Sequence, residues 1–386
     1  MRVLVAPDSF KGSLSAQRVA GIIGDALRAS DPACTVTLLP LGDGGEGTTA
    51  AVRDALRAAN ASLCINHSPA LDARARPVTA EWIRLPDGTA LTDAAACIGL
   101  AQLAAGERDA RRATSAGLGL LVRRICAELP TRVVIGLGGT ATVDGGIGFV
   151  RAMGWRLVDA AGRDVTGDDV VDVVERVVRI EPPRDWPAQW HRIPFTAWSD
   201  VAAPLCGSRG AARQFGPQKG AAPADVEALE RALARFADLV RRDVRDVDPD
   251  APGMGAAGGL GFALRAFMNA EVVSGADGVL DLVAFDARVR EADLVMTGEG
   301  RLDTQTREGK LVAVVARRAR AAGVPVVAVV GRLAGDAREL CDALALDDII
   351  VAAGDDINDP TAILHAPGLL EQAIENWKGR WTSSST

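Results

Sequence analysis

The sequence contains no tyrosine, three histidines and four lysines in 386 residues, and each shortage removes a class of chemistry. His67, His191 and His365 stand outside every glycine-rich segment. A Ser-His-Asp hydrolase or a histidine-ligated metal enzyme is therefore poorly supported. The six cysteines, at 34, 64, 97, 126, 206 and 341, lie far apart and form no C-x-x-C pair. Neither a zinc site nor a disulfide framework follows, and a reducing cytoplasm is the expected setting. Apolar runs such as Val324 to Val330 are far too short to span a membrane. Met1 to Asp8 has too short an apolar stretch for a signal peptide and reads as a first strand. The net charge of −7 argues against nucleic acid as the main partner.

What the chain does hold is glycine, 41 residues of it, gathered in clusters. Three of the four lysines, Lys11, Lys219 and Lys310, fall inside those clusters, and Lys378 does not. Glycine-rich backbone beside a lysine is the usual setting of a bound phosphate. The length suits two domains of ordinary size.

Both ends of the chain alternate strand and helix. Arg2 to Ala6 reads as a strand, followed by a helix from near Ser15 whose Val19, Ile22, Ile23, Ala26 and Leu27 recur at helical spacing. Thr35 to Pro40 is a second strand, and Thr48, Ala51, Val52, Ala55 and Leu56 mark a second helix. Ala292 to Thr297, Val324 to Val330 and Asp348 to Ala353 supply three more strands, enough for a doubly wound parallel sheet. The middle differs: residues 63 to 94 read as short strands with a turn at Pro86-Asp87-Gly88, and a long amphipathic helix follows Pro223. The expected class is α/β, with a discontinuous flavodoxin- or Rossmann-like domain (1–66 and 288–386) interrupted by a second, inserted α/β domain (67–287).

In open α/β sheets, ligands bind beyond the carboxyl ends of the strands. Asp8-Ser9-Phe10-Lys11-Gly12-Ser13 offers a carboxylate, a cation, hydroxyls and a helix start there; it fits either an anion site or a capped turn. Asp43 and Glu46 lie among four glycines, where carboxylates can take Mg²⁺ or accept a hydroxyl proton, or simply be solvated in a flexible turn. Gly298-Glu299-Gly300-Arg301-Leu302-Asp303, running on to Lys310, reads as a loop with more chemistry than a turn needs. The middle adds Gly138-Gly139-Thr140 with Asp144, then Asp200, then Lys219 in Phe215-Gly216-Pro217-Gln218-Lys219-Gly220, and finally Gly258-Gly259 within Gly255 to Gly261. That last segment fits close backbone packing at least as well as ligand binding.

Gly136-Leu137-Gly138-Gly139-Thr140-Ala141 matches the G-x-G-x-x-A dinucleotide pattern, a weak signal alone, and Asp159 lies in an apparent turn rather than at a ribose. No P-loop is present, since Lys310 is followed by Leu311, and the protein-kinase motifs are absent. Aspartate, lysine, arginine and backbone N–H remain, the parts that phosphoryl transfer requires.

Ala6 to Ser13, Gly42 to Gly47, Phe215 to Ala221, Gly255 to Gly261 and Thr297 to Asp303, with Gln305-Thr306 and Gly309-Lys310, resemble the bacterial type I glycerate kinases, in family order. The resemblance implies transfer of the ATP γ-phosphoryl to a hydroxyl of D-glycerate, with Mg²⁺, favouring 2-phosphoglycerate as product in organic-acid and glyoxylate breakdown. The small-molecule partners would be D-glycerate and ATP, without nucleic acid or membrane, and a homodimer is one allowed assembly. Two departures stand out: Val143 and Ala203 occupy positions where the resemblance leads one to expect Asn.

On this reading Lys11, Asp43, Asp200 and Arg301 are catalytic, with Asp43 or Asp200 as base or Mg²⁺ ligand and Arg301 gripping the glycerate carboxylate. Asp8, Ser9, Glu46, Lys219, Gly298, Glu299, Asp303 and Lys310 would bind substrate or phosphate. Gly138, Gly139, Thr140, Asp144, Gly258 and Gly259 would serve the nucleotide. The alternatives are a glycerate 3-kinase giving 3-phosphoglycerate, a nicotinamide-dependent oxidoreductase of a small hydroxy acid, and a non-catalytic metabolite-binding module.

Overall fold

The computed structural model describes residues 1–10, 12–303, 310–352 and 362–383. They group into two compact units. One comprises 1–43, 50–61 and 276–386, the other 44–49 and 62–275.

The first unit is built on a five-stranded sheet in the order Asp348–Val351, Val326–Leu333, Leu294–Leu302, Arg2–Val5, Thr35–Leu38, with every neighbouring pair parallel. Numbered along the chain this is 2-1-3-4-5, the flavodoxin-like doubly wound order. The order reverses between Arg2–Val5 and Leu294–Leu302, which opens a crevice at their carboxyl ends. Val326 to Val330 are all buried, as a central parallel strand covered on both faces requires. Helix Ala16–Ser30 is capped by Ser15, whose hydroxyl accepts from the Arg18 N–H at 3.3 Å. Its Val19, Ile23 and Leu27 pack with Val3, Val5 and Met296 in one core. The C-terminal helix Ala362–Ser383, which the sequence reading passed over, adds Leu370, Ile374 and Trp377 to that core. The Trp377 indole donates to Asp348 at 2.7 Å and ties this helix to the last strand.

The second unit has a six-stranded sheet ordered Glu271–Ser274, Phe195–Ser199, Arg132–Gly136, Thr89–Asp93, Pro77–Arg84, Cys64–Leu71. The last three form an antiparallel meander and the rest run parallel. Pro86-Asp87-Gly88 makes the expected hairpin, with Gly88 in the left-handed region at φ +84°. Helix Pro223–Asp243 buries Val226, Leu229, Leu233, Phe236 and Val240, the stripe its spacing predicts.

One expectation changes. Leu294–Leu302 does not end at Thr297 but runs on through the segment expected as a loop, pairing Glu299 with Val330, Arg301 with Arg332 and Leu302 with Leu333. Gly298 makes this pairing possible: a Cβ there would lie 2.0 Å from the Val329 carbonyl oxygen.

Candidate active site

Beyond the carboxyl ends of the first unit's strands lies a pocket of about 410 Å³. Asp8, Ser9, Phe10 and Ser13 line it from the first strand's loop and Asp43 from the second's. Glu299, Arg301, Asp303 and Lys310 come from the third connection, and Gly331 and Arg332 from the fourth strand. Strand pairing carries these loops outward. The Asp8 N–H donates to Gly298 O at 2.9 Å, and the Leu41 N–H to Pro7 O at 2.9 Å. The Asp8 carboxylate accepts from the Ser9 N–H at 2.6 Å, and the Phe10 and Leu14 backbones close a tight turn. Asp8 and Asp43 are both buried. Asp303 stands between two cations, 3.6 Å from Arg301 Nε and 3.9 Å from Lys310 Nζ.

The sheet thus gathers Asp8, Ser9, Asp43, Glu299, Arg301, Asp303 and Lys310, seven residues that are scattered in sequence, around one cavity. Arg332 belongs with them and was missed. Its signal was available: Gly331-Arg332 ends an apolar strand as Gly300-Arg301 does. Gly298 contributes strand closure rather than a contact in the pocket lining. Lys11 lies outside the described residues.

The other candidates belong to the second unit. Gly138 and Gly139 follow the strand Arg132–Gly136 and form a close seat for residues 44–46: a Cβ on Gly138 would lie 2.5 Å from Gly45 Cα, and one on Gly139 2.9 Å from Glu46 Cβ. Glu46 itself is exposed. This seat is locked by Asp93, a residue the sequence reading did not single out. Its buried carboxylate accepts from the Gly47 N–H at 3.0 Å, the Thr49 N–H at 3.1 Å and the Thr49 hydroxyl at 2.8 Å. A buried acid ending the strand Thr89–Asp93 was the available clue. Asp200 follows the strand Phe195–Ser199 and is half-buried.

Asp144 is tied into backbone. It accepts from the Ser115 N–H and hydroxyl and from the Gly146 and Gly148 N–H groups, joining the starts of helices Ala116–Ala127 and Ile147–Ala152. Gly258 and Gly259 also serve packing: a Cβ on Gly258 would lie 2.0 Å from Thr142 O, and one on Gly259 2.8 Å from Gly145 Cα. Lys219 is buried, its amine donating to Thr142 O at 2.8 Å and lying 3.4 Å from the Thr140 hydroxyl. Burial pushes its pKa down to about 7, against the opposing pull of Asp144. Val143 is wholly buried in the apolar core, where an Asn amide would need partners. Ala203 is buried too and offers its carbonyl to the Gly255 N–H at 2.9 Å.

The dinucleotide pattern does not have its structural context. The next helix after Gly136 starts at Ile147, well past the motif, and the Gly138 N–H donates to Gly44 O at 3.3 Å. Asp159 closes a turn by accepting from the Ala161 and Arg163 N–H groups, each at 2.9 Å.

Fold and pocket define an α/β protein of the doubly wound class, with a polar pocket at the topological switch point. The model of the glycerate kinase family matches residues 3–382. The glycerate 2-kinase of Escherichia coli strain K12 is 36% identical over 339 residues, 87% of this chain and 86% of that protein. The glycerate kinase of Halalkalibacterium halodurans is 33% identical over 97% of this chain and 96% of its own. A crystal structure from Salmonella typhimurium LT2, described as a glycerate kinase 2, superposes with a TM-score of 0.82 at 35% identity, covering 100% of this chain and 99% of that one. The chain belongs to the glycerate kinase family. It is accordingly an enzyme acting on small molecules, with ATP as the phosphoryl donor. Among the described residues no helix is long and apolar enough to cross a membrane.

Proposed function

We propose that the chain transfers the γ-phosphoryl group of ATP to the 2-hydroxyl of D-glycerate, giving 2-phosphoglycerate and ADP, in organic-acid and glyoxylate breakdown. The observation that carries this reading is the composition of the switch-point pocket: four carboxylates, two guanidiniums and a lysine around one small cavity. A three-carbon hydroxy acid presents the complement, hydroxyl donors for the carboxylates and a carboxylate for the cations. The 2-position is favoured by the name of the E. coli relative, a glycerate 2-kinase.

In the reaction the 2-hydroxyl oxygen bonds to the γ-phosphorus, the bond from that phosphorus to the β,γ-bridging oxygen breaks, and ADP leaves. Asp43 takes the hydroxyl proton; it is buried in the pocket wall. Arg301 orients the acceptor through its carboxylate, and Lys310 and Lys11 offset phosphate charge. Asp43 or Asp200 would offer oxygen donors of the kind Mg²⁺ takes, and Mg²⁺ commonly needs one or two carboxylates besides the phosphates. When bound it would neutralise charge on the transferring group. The six free cysteines suit a reducing cytoplasm.

The test is a coupled assay with D-glycerate, ATP and Mg²⁺, with the product identified by ³¹P NMR. A 2-phosphoglycerate signal is expected. A 3-phosphoglycerate signal would overturn the position, and absence of turnover would overturn the activity.

A further inference from the structure

We propose that the apolar end of the switch-point pocket, formed by Phe10, Ala352, Ala366 and Leu369, seats the adenine base of ATP. This rests on the reading of that pocket as the reaction site. All four residues line the pocket. Ala352, Ala366 and Leu369 are half-buried, so they turn apolar surface toward a cavity lined elsewhere mainly by charge. The polarity of the lining follows the strand order. At one end the connections after Thr35–Leu38 and Arg2–Val5 bring in Asp43 and Asp8, and at the other Ala352 follows Asp348–Val351. Arg301 and Arg332 stand on the two strands between. The outer strands are four spacings of about 4.8 Å apart, roughly 19 Å, which is the scale of a nucleoside triphosphate laid along the sheet edge.

The C-terminal helix Ala362–Ser383 closes the apolar end. Its Leu370, Ile374 and Trp377 are buried in the core, and the Trp377 indole holds the helix to Asp348, at the start of the strand that leads to Ala352. Ala366 lies one turn before Leu370, so the stripe that packs on the core continues into the pocket. The Ala352 N–H donates to Val330 O at 2.8 Å, which fixes the neighbouring floor. Phe10 reaches the same end from another strand: a Cβ on Gly331 would lie 3.5 Å from Phe10 Cδ2, so the ring lies against Val326–Leu333. Of the reacting molecules only the base has an apolar face, since the acceptor and the triphosphate are polar throughout. A volume of about 410 Å³ falls within the range of about 300–1,000 Å³ that encloses drug-sized ligands, more than a three-carbon acid fills. Seating the base there takes apolar surface of both partners out of water.

The experiment measures calorimetric binding to the full-length protein with Mg²⁺, comparing ATP with inorganic tripolyphosphate, which keeps the phosphates and lacks the base. For Leu369→Ala, the Kd of ATP should rise about 5- to 50-fold, the scale of a lost apolar contact, with that of tripolyphosphate within about twofold. Ala366→Leu, which fills the seat, should weaken ATP in the same selective way. An unchanged preference for ATP over tripolyphosphate in both variants would overturn the proposal. An equal loss for both ligands, together with a lowered melting temperature, would mark these side chains as structural and overturn it as well. Photolabelling of the wild type with 8-azido-ATP, followed by peptide mapping, does not depend on how the variants fold. An adduct on Phe10, or on the peptide that carries Ala366 and Leu369, is expected. An adduct on the peptide carrying Gly138 to Thr140, or no binding of ATP at all, would overturn the seat. None of these measurements needs the acceptor, so the D-glycerate reading stands or falls by its own assay.

Discussion

Asp144 and Ser115 are joined twice: one carboxylate oxygen of Asp144 accepts both the Ser115 N–H, at 2.9 Å, and its hydroxyl, at 2.7 Å, and both residues are buried. The same carboxylate takes the N–H groups of Gly146 and Gly148, each at 3.0 Å. Asp144→Ala would strand these donors in the core, which should cost about 3–5 kcal/mol. Urea unfolding checks this: the midpoint should fall with little change in slope. A variant as stable as wild type would show that water replaces the carboxylate.

Lys219 ties pH to stability. Its folded pKa, about 7, lies below the usual 10.5 because burial disfavours the charged amine. Between about pH 7 and 10.5 the unfolded chain therefore holds a proton that the folded chain has released. Stability should rise with pH across that window, and below it this group should add no further pH dependence. Subtracting Lys219→Met from wild type in urea titrations isolates the effect. A flat difference from pH 7 to 10 would mean the amine stays charged inside.

Gly298 leaves no space for a side chain, a Cβ there lying 2.0 Å from Val329 O. Gly298→Ala should lower stability by about 2–4 kcal/mol through strand displacement. Because Glu299 and Arg301 follow on the same strand and line the pocket, KM for D-glycerate should rise as well. Thermal melting and initial-rate kinetics on one preparation read both effects.

Asp43 and Asp200 can be told apart by metal dependence. Asp43→Asn removes the proposed base and should lower kcat by about 10²- to 10⁴-fold at every Mg²⁺ concentration. Asp200→Asn should instead raise the Mg²⁺ concentration needed for half-maximal rate, with much of kcat recovered at saturation. The reverse pattern would exchange the two roles.

Much of the fold was legible because its signals are short-range. The buried stripe of Pro223–Asp243 repeats every three or four residues, and the Ser15 cap acts within one turn. The glycine clusters also marked connections that meet in space, since Asp8, Asp43, Glu299 and Lys310 all line one pocket. Lys219 shows where such reading stops. Its glycine-rich setting resembles that of a phosphate lysine, yet its amine is buried against Thr142, a neighbour 77 residues away.

By itself the sequence determined most of the first unit's strands and helices, the α/β class and the family, because periodicity, caps and motifs are properties of adjacent residues. Only the tertiary structure decided which polar groups are spent on the fold and which line the pocket. Asp93 holds Thr49 across 44 residues, Asp144 holds Ser115 across 29, and Arg332 meets Arg301 through the register of two strands. A carboxylate or guanidinium takes its role from whatever the folded chain brings within about 3 Å of it. That distance is set by strand order and register, which no single segment encodes.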